Sequence, residues 1–449
     1  MNKKMNRRHF LETTGIIGGS FLLSPRFTIA QSLQTGIKPA LLGGEKIHPS
    51  NFKSWPIYDA NEERALIDVL RTGNWGRLNG NTTFSFEKEY AKVLGAKYAL
   101  GVSSGTGALY TMLGVLDVGP EDEVIIPVYT FIATYNVVTL NYALPRFIDT
   151  DIETFQIDPK KIDSVITNQT KVIIPVHIGG LPADLDTILN IGNSHNIPVI
   201  EDACQAHLAE WNGKKVGTYG LGGAFSFQSS KNLNCAEGGA ISSNNESFIQ
   251  SCYAFHNQGQ GGTSASFSVG GFGTRSMNLR LTEFQSGLLL AQMQRLKNQA
   301  QLRYKNAMYL NSLLNEIDGI SPAKLYDKVT MGAYHLYMFR YDLTYFSNLS
   351  LEKFVAALNE EGIPCSTGYG AMNKSEYVCK LAENPHYIKI YGKKRMKEWL
   401  DSNDCPMNDR LIKQAVWIPQ NVLLGSKSEM EQIAMAVKKI QRFSHDLNK

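Results

Sequence analysis

Within residues 201–242, EDACQAHLAEWNGKKVGTYGLGGAFSFQSSKNLNCAEGGAIS, an acid, an amide and a lysine stand where neighbouring strand ends can bring them together. Ile197, Val199 and Ile200 read as a short buried strand that ends in Asp202, and residues 223–227 read as a second strand that stops just before Ser229-Ser230-Lys231. In an α/β sheet such ends line a ligand crevice. A lysine there loses hydration, so it either gives up its charge more easily or forms an imine with a carbonyl group. The imine alternative needs a carboxylate to face the nitrogen of an electron-withdrawing ring, and Asp202 is the candidate.

A second feature points to an anion. Residues 98–102 read as a strand, Ser103-Ser104-Gly105-Thr106-Gly107 as a tight turn and 108–116 as the helix that follows, so free N–H groups and the helix dipole converge at Gly105 and Thr106. The same turn also serves as an ordinary helix cap. No lysine follows the glycines and no G-x-G-x-x-G occurs there, which argues against nucleoside triphosphate and dinucleotide sites. A hydrolase is a poorer reading, because the serine-rich turns lie in contexts suited to holding a phosphate. His177, at a strand end, is left without a role.

The pattern EDAxQAH followed by FSFxxxKNLxxxEGG, with WPIYD, SSGTGAL, YTFIAT, PVHIGG, AYHLYMFR and VWIPQNVLL around it, resembles the DegT/DnrJ/StrS sugar aminotransferases. These are pyridoxal 5'-phosphate (PLP) enzymes of fold type I, and the likeness runs from about Trp55 to near the C-terminus, nearest the branch acting on cyclitols and amino-hydroxybenzoate precursors. The resemblance implies that Lys231 holds PLP, that Asp202 faces the ring nitrogen and that Gln205 bonds the ring hydroxyl. It also implies that Phe131 stacks on the ring. The phosphate would lie on Gly105, Thr106 and Ser226, with Asn278 of the N-x-R-x-T-E element reaching in from the other chain of a homodimer with shared active sites.

Lysine rather than histidine at 231 separates the chain from dehydratase relatives. The implied donor is glutamate or glutamine and the acceptor a keto-sugar or keto-cyclitol, as in amino-sugar and polysaccharide biosynthesis. The segment around Tyr369 departs from the histidine-bearing pattern of nucleotide-sugar enzymes. The competing reading is a non-catalytic PLP-fold binding or regulatory protein acting outside the cytosol.

Short apolar strands alternate with helical patterns, which predicts an α/β fold: a mostly parallel central sheet flanked by helices, with a smaller C-terminal α/β domain. The expected division is 1–30 as a leader, 31–57 as an arm or linker, 58–298 as the large domain, and 299–449 as a linking helix and small domain. Helices are expected at 284–296, 299–315 and 427–447, and a Gly/Ser/Thr loop ending at Gly273 as a flap or surface excursion.

The leader carries Lys3, Lys4, Arg7, Arg8 and Arg26 against Glu12, so removing it from totals of 45 basic and 41 acidic residues leaves the rest electrically balanced. A balanced chain offers no basic face for nucleic acid. Arg7-Arg8-His9-Phe10-Leu11, the short apolar run at 15–23 and Thr28-Ile29-Ala30 resemble a twin-arginine export signal. That run is too short to span a bilayer, which takes about 20 residues. The six cysteines show no C-x-x-C pair or zinc spacing, so no metal site and no disulfide framework is expected.

Overall fold

The computed structural model describes residues 38–270 and 275–449. The leader, the first part of the arm (31–37) and residues 271–274 at the end of the glycine-rich loop lie outside the described residues.

Seven strands form the central sheet: β1 (Tyr98–Val102), β2 (Glu123–Pro127), β3 (Leu144–Ile148), β4 (Thr170–Ile173), β5 (Ile200–Asp202), β6 (Gly222–Ser226) and β7 (Gly239–Ser243). Their spatial order is β3-β2-β4-β5-β6-β7-β1, with single parallel bridges, Ile173 to Val199 and Val176 to Asp202, joining β4 to β5. Only β7 runs against its neighbours. The strands are apolar on both faces because helices cover both, so the parallel ends open toward one crevice.

The helices begin where their side chains satisfy free backbone donors. Asp59 and Glu62 close a capping box on α1 (Ala60–Thr72), followed by α2 (Thr82–Leu94). Ser104 accepts from the Gly107 N–H at 2.9 Å to start α3 (Gly105–Val115). Then come α4 (Ile132–Thr139), α5 (Leu185–His195), capped by Asp184, and α6 (Glu246–His256), capped by Asn245.

Thr282 and Gln285 box the start of α7 (Glu283–Leu314), which is one continuous helix where the sequence suggested two. The polar Lys297-Asn298 step interrupts the apolar pattern but supplies neither a proline nor a cap, so propagation continues through it. After α8 (Leu351–Glu360) and several shorter helices, the C-terminal helix α9 (Lys427–Arg442) stops sooner than expected, where Phe443 leaves helical geometry (φ −106°) before a short last turn.

The C-terminal part has its own antiparallel sheet, in the order β8 (Ile320–Pro322), β9 (Leu336–Tyr341), β11 (Ala415–Pro419), β10 (Ser366–Thr367). Its core joins Phe339, Phe354, Ile418 and Val437 to Tyr129 and Val176 of the large sheet, so the two parts share apolar packing behind the crevice. The glycine-rich loop folds into a small hairpin, Gly262–Thr263 on Ser268–Val269. Ser264 donates to Glu87 (2.6 Å) and Phe267 packs on Tyr98 and Tyr253, which anchors it.

Candidate active site

A cavity of about 600 Å³ lies at the C-terminal ends of the parallel strands, closed on one side by the small domain. From β1 the chain turns into α3 through Ser104, Gly105 and Thr106, and all three line the cavity. Gly105 has no room for a side chain there: a Cβ would come 2.6 Å from Cys204 Sγ and 2.8 Å from Ser226 Cβ. Backbone N–H groups at the start of α3 therefore face the same space as the Ser226 hydroxyl at the end of β6, which suits a phosphate.

Asp202 ends β5 and is nearly buried. Its Oδ2 accepts from the Thr134 hydroxyl at 3.0 Å and its Oδ1 from the Cys204 N–H at 3.2 Å, which fixes the carboxylate at the cavity wall. Thr134 is in turn paired with Thr130 at 2.9 Å. Lys231 sits on a tight loop between β6 and β7, held by its own N–H to Gln228 O (2.8 Å), by Ser229 N–H to Ala236 O (2.9 Å) and by Asn232 Nδ2 to Ala333 O (2.8 Å). Its amine makes no hydrogen bond or ion pair with any described residue.

Burial pushes the Lys231 amine below its ordinary range, and the neighbouring Cys204 thiol and Asp202 oppose this only in part. Burial also drives the Cys204 thiol well upward, assisted by Asp202, so Cys204 is a protonated packing group rather than a nucleophile. His335, which lines the cavity from the small domain, is held well below the usual histidine range by burial and by the Lys231 charge.

Gln205 is fixed from both ends: Oε1 accepts from the Gly179 N–H (2.7 Å) and Nε2 donates to the Tyr369 hydroxyl (3.0 Å), leaving a second N–H for a ligand. Tyr369 belongs to an aromatic wall with Trp417 (ring centroids 4.5 Å apart) and Tyr129 (5.4 Å), the rings meeting at steep angles. Phe131 faces the cavity from the start of α4 and is 55% exposed.

Gly105, Thr106, Phe131, Asp202, Gln205, Ser226 and Lys231 thus line one cavity. Asn278 does not. It is exposed, with its backbone bridged to Asn257, on the segment that runs beside β1, where Ser103 N–H bonds Leu279 O at 2.7 Å. His177 is structural: it is fully buried, contacts Glu201 Oε2 at 3.1 Å, and accepts from the Ala183 N–H at 3.1 Å.

Thr134, Cys204, His335 and Trp417 were not assigned from sequence. The signal for Thr134 and Cys204 was their place inside the YTFIAT and EDACQ motifs. His335 and Trp417 likewise lie inside the AYHLYMFR and VWIPQNVLL motifs, but they reach the cavity only through packing of the small domain.

Residues 56–438 match the family model for the DegT/DnrJ/EryC1/StrS aminotransferase family. The chain is 32% identical over 389 residues to a 3-amino-5-hydroxybenzoate synthase of Amycolatopsis mediterranei, covering 85% of this chain and 95% of that protein. It is 30% identical over 420 residues to an L-glutamine:2-deoxy-scyllo-inosose aminotransferase of Streptoalloteichus tenebrarius, with 91% and 98% covered. Among solved structures, that of a 3-amino-5-hydroxybenzoic acid synthase superposes with a TM-score of 0.76 at 30% identity, covering 87% of this chain and 99% of the other. An aminotransferase from Psychrobacter cryohalolentis superposes with a TM-score of 0.76 at 28% identity, with 88% and 100% covered.

Proposed function

The chain belongs to the DegT/DnrJ/EryC1/StrS aminotransferase family of PLP-dependent, fold type I enzymes, and from that premise we propose that it moves an amino group from glutamine or glutamate to the ketone of a cyclitol or sugar ring, with Lys231 as the cofactor lysine. The observation that carries the reading is the convergence in one cavity of a lysine whose amine has no hydrogen-bond partner among the described residues, a fixed carboxylate, and a helix start at Gly105 packed too closely on Cys204 and Ser226 to admit a side chain.

These residues fit PLP. When bound, the cofactor supplies an aldehyde and a ring that takes up the electron pair left at the donor's Cα. Lys231 would hold the cofactor through an amine already biased toward its neutral form, and as a free amine it would move the proton at the donor's Cα. Asp202, oriented by its bonds from Thr134 and the Cys204 N–H, would face the ring nitrogen and favour a proton there. Gln205 orients the ring through its free N–H. Ser104, Gly105, Thr106 and Ser226 anchor the phosphate, and Asn278 of a second copy completes that anchor across a homodimer. Leu66, Ile67 and Leu70 of α1 and neighbouring Trp75 are exposed and apolar, which supports a subunit contact on that side.

Lys231 is the only lysine or arginine among the described residues lining the cavity. The diphosphate of a nucleotide-linked sugar would need more cationic partners, so the acceptor we favour is a free ring that packs on Tyr369 and Trp417. Purified protein loaded with PLP is expected to lose its visible absorbance on adding glutamine and to aminate a keto-cyclitol in preference to a nucleotide-linked keto-sugar. A spectrum that neither donor changes would sink the transaminase reading and leave the binding module. Residues 1–30 support export by the twin-arginine route, and the six free cysteines suit a chain folded before export; fractionation finding the uncleaved protein only in the cytosol would remove that part.

A further inference from the structure

The motif WPIYD, at the end of the arm, has no place in the chemistry above, yet its tryptophan reaches the loop that carries Lys231. The Trp55 indole N–H donates to Ser229 O at 3.1 Å, two residues before the lysine. Residues 228–231 form a β-turn closed by the Lys231 N–H on Gln228 O at 2.8 Å, with Ser229 and Ser230 at its corner. The peptide between those serines takes no part in the bond that closes the turn, so its tilt, and the path of the chain into Lys231, depends on what its two ends meet. One end is the Ser230 N–H, which donates to Gln228 Oε1 at 2.9 Å. The other is Ser229 O, and Trp55 is its only hydrogen-bond donor among the described residues.

Trp55 is itself held on both sides. Asn421 Nδ2 donates to Lys53 O at 2.8 Å and Gln292 Nε2 of α7 donates to Ile57 O at 2.8 Å, so the chain is fixed two residues before the tryptophan and two residues after it. Against the ring lies Arg303, which sits midway along α7 and has no exposed surface. Its guanidinium is 5.1 Å from the indole ring centre, and its Nε donates to Gln420 Oε1 at 2.8 Å. A cation against an indole face is attractive, which ties the ring to α7.

We propose that Trp55 is a positioning residue for Lys231: through Ser229 it fixes the corner of the turn that presents the lysine to the cavity. Seating of the arm on α7 and on Gln420-Asn421 is thereby coupled to the reach of the amine toward the cofactor aldehyde. On the other side of the lysine, Asn232 Nδ2 donates to Ala333 O at 2.8 Å, so Lys231 stands between two anchors from distant segments. A lysine already aimed at the cavity loses less freedom on joining the cofactor than one on a loose turn. The proposal rests on Lys231 being the cofactor lysine.

The test compares two forms of the cofactor. PLP joins the lysine covalently, whereas pyridoxamine 5'-phosphate (PMP) has no aldehyde and binds through its ring and phosphate alone. Trp55→Phe keeps a ring against Arg303 and removes the indole N–H. In W55F the dissociation constant of PLP, read by titrating the visible band of the cofactor-free protein, is expected to rise about fivefold, the worth of one hydrogen bond. That of PMP, read by quenching of tryptophan fluorescence, is expected to match the parent's. A general packing defect weakens both forms alike, and a bond that only decorates the surface weakens neither; either result overturns the proposal.

Should W55F not fold, Asn421→Ala decides, because it loosens the arm beside the tryptophan and touches neither the loop nor the cavity. A loss of affinity confined to PLP upholds the proposal there too, and parallel or absent losses overturn it. A parent protein that binds PMP but gains no visible band with PLP overturns the Lys231 reading and this proposal together, whereas a parent with the band and a W55F variant without the split overturns this proposal alone.

Discussion

Two buried charge clusters in this molecule are built on opposite plans. In the small domain Lys439 and Glu361, both nearly or fully buried, meet at 3.0 Å, and every remaining direction is filled: Glu361 accepts from the Ala40 and Ile47 N–H groups (2.9 and 3.0 Å) and Lys439 donates to Glu45 O (2.6 Å). That cluster ties residues 40–47 to α8 and α9. Lys231 at the cavity and Arg303 on α7 are also largely removed from water, yet neither has an ion-pair partner among the described residues. Saturation makes the first cluster a fastener. The second retains unspent bonding capacity, which is what a site that must receive a ligand requires.

The largest effect that would sharpen this contrast is at Lys231. Lys231→Ala should abolish the visible band on adding PLP and lower amino transfer by roughly a thousandfold or more, while leaving urea unfolding of the cofactor-free protein unchanged or shifted toward greater stability. Full donor turnover in that variant would break it.

Lys439→Met should act the other way, with a loss of about 3–5 kcal/mol in unfolding free energy from leaving Glu361 charged and unpartnered, and with donor kinetics per folded molecule intact. If K439M unfolds at the same urea concentration as the parent, saturation is not what holds that corner.

His256 offers an intermediate case, a buried group kept neutral for structural reasons. Burial and then the Arg77 charge lower it to about 3 from an ordinary 6.5. Between those pH values the unfolded chain binds one more proton than the folded one, so stability should fall as pH falls through that window. His256→Gln should flatten the slope by one proton, ~1.4 kcal/mol per pH unit, measured by urea unfolding at pH 5 and 6. An unchanged slope would contradict the neutral assignment.

The smallest expected effect is at Thr134, one hydrogen bond from Asp202. Thr134→Val should weaken PLP binding by about fivefold, ~1 kcal/mol, read by titrating the visible band. A variant that binds PLP as the parent does would show that the Cys204 N–H alone suffices to orient the carboxylate.

Much of the site was legible because its parts are local. Asp202, Cys204 and Gln205 follow one strand, Ser226 and Lys231 another, and Ser104, Gly105 and Thr106 a third, so motif order and strand ends already placed them in one crevice. Asn278 is the part of that reading a single chain does not bring to the cavity. Leu66, Ile67, Val69 and Leu70 of α1 have the apolar spacing of a helix, but only Val69 turns inward. Periodicity identifies an apolar face without saying whether its partner lies in the same chain. The continuity of α7 was missed for a related reason: a polar step in the pattern looks like an end, but backbone propagation needs only the absence of a breaker.

The order of residues by itself determined the strand-and-turn grammar, the phosphate-suited glycine turn and the lysine and aspartate that face each other across strand ends, because each depends on neighbours a few positions away. Only the tertiary structure decided that Tyr369, Trp417 and His335 gather around them. Burial strips water from these groups, and how strongly a charge is felt depends on what replaces that water, which is set by contacts between segments far apart in the chain.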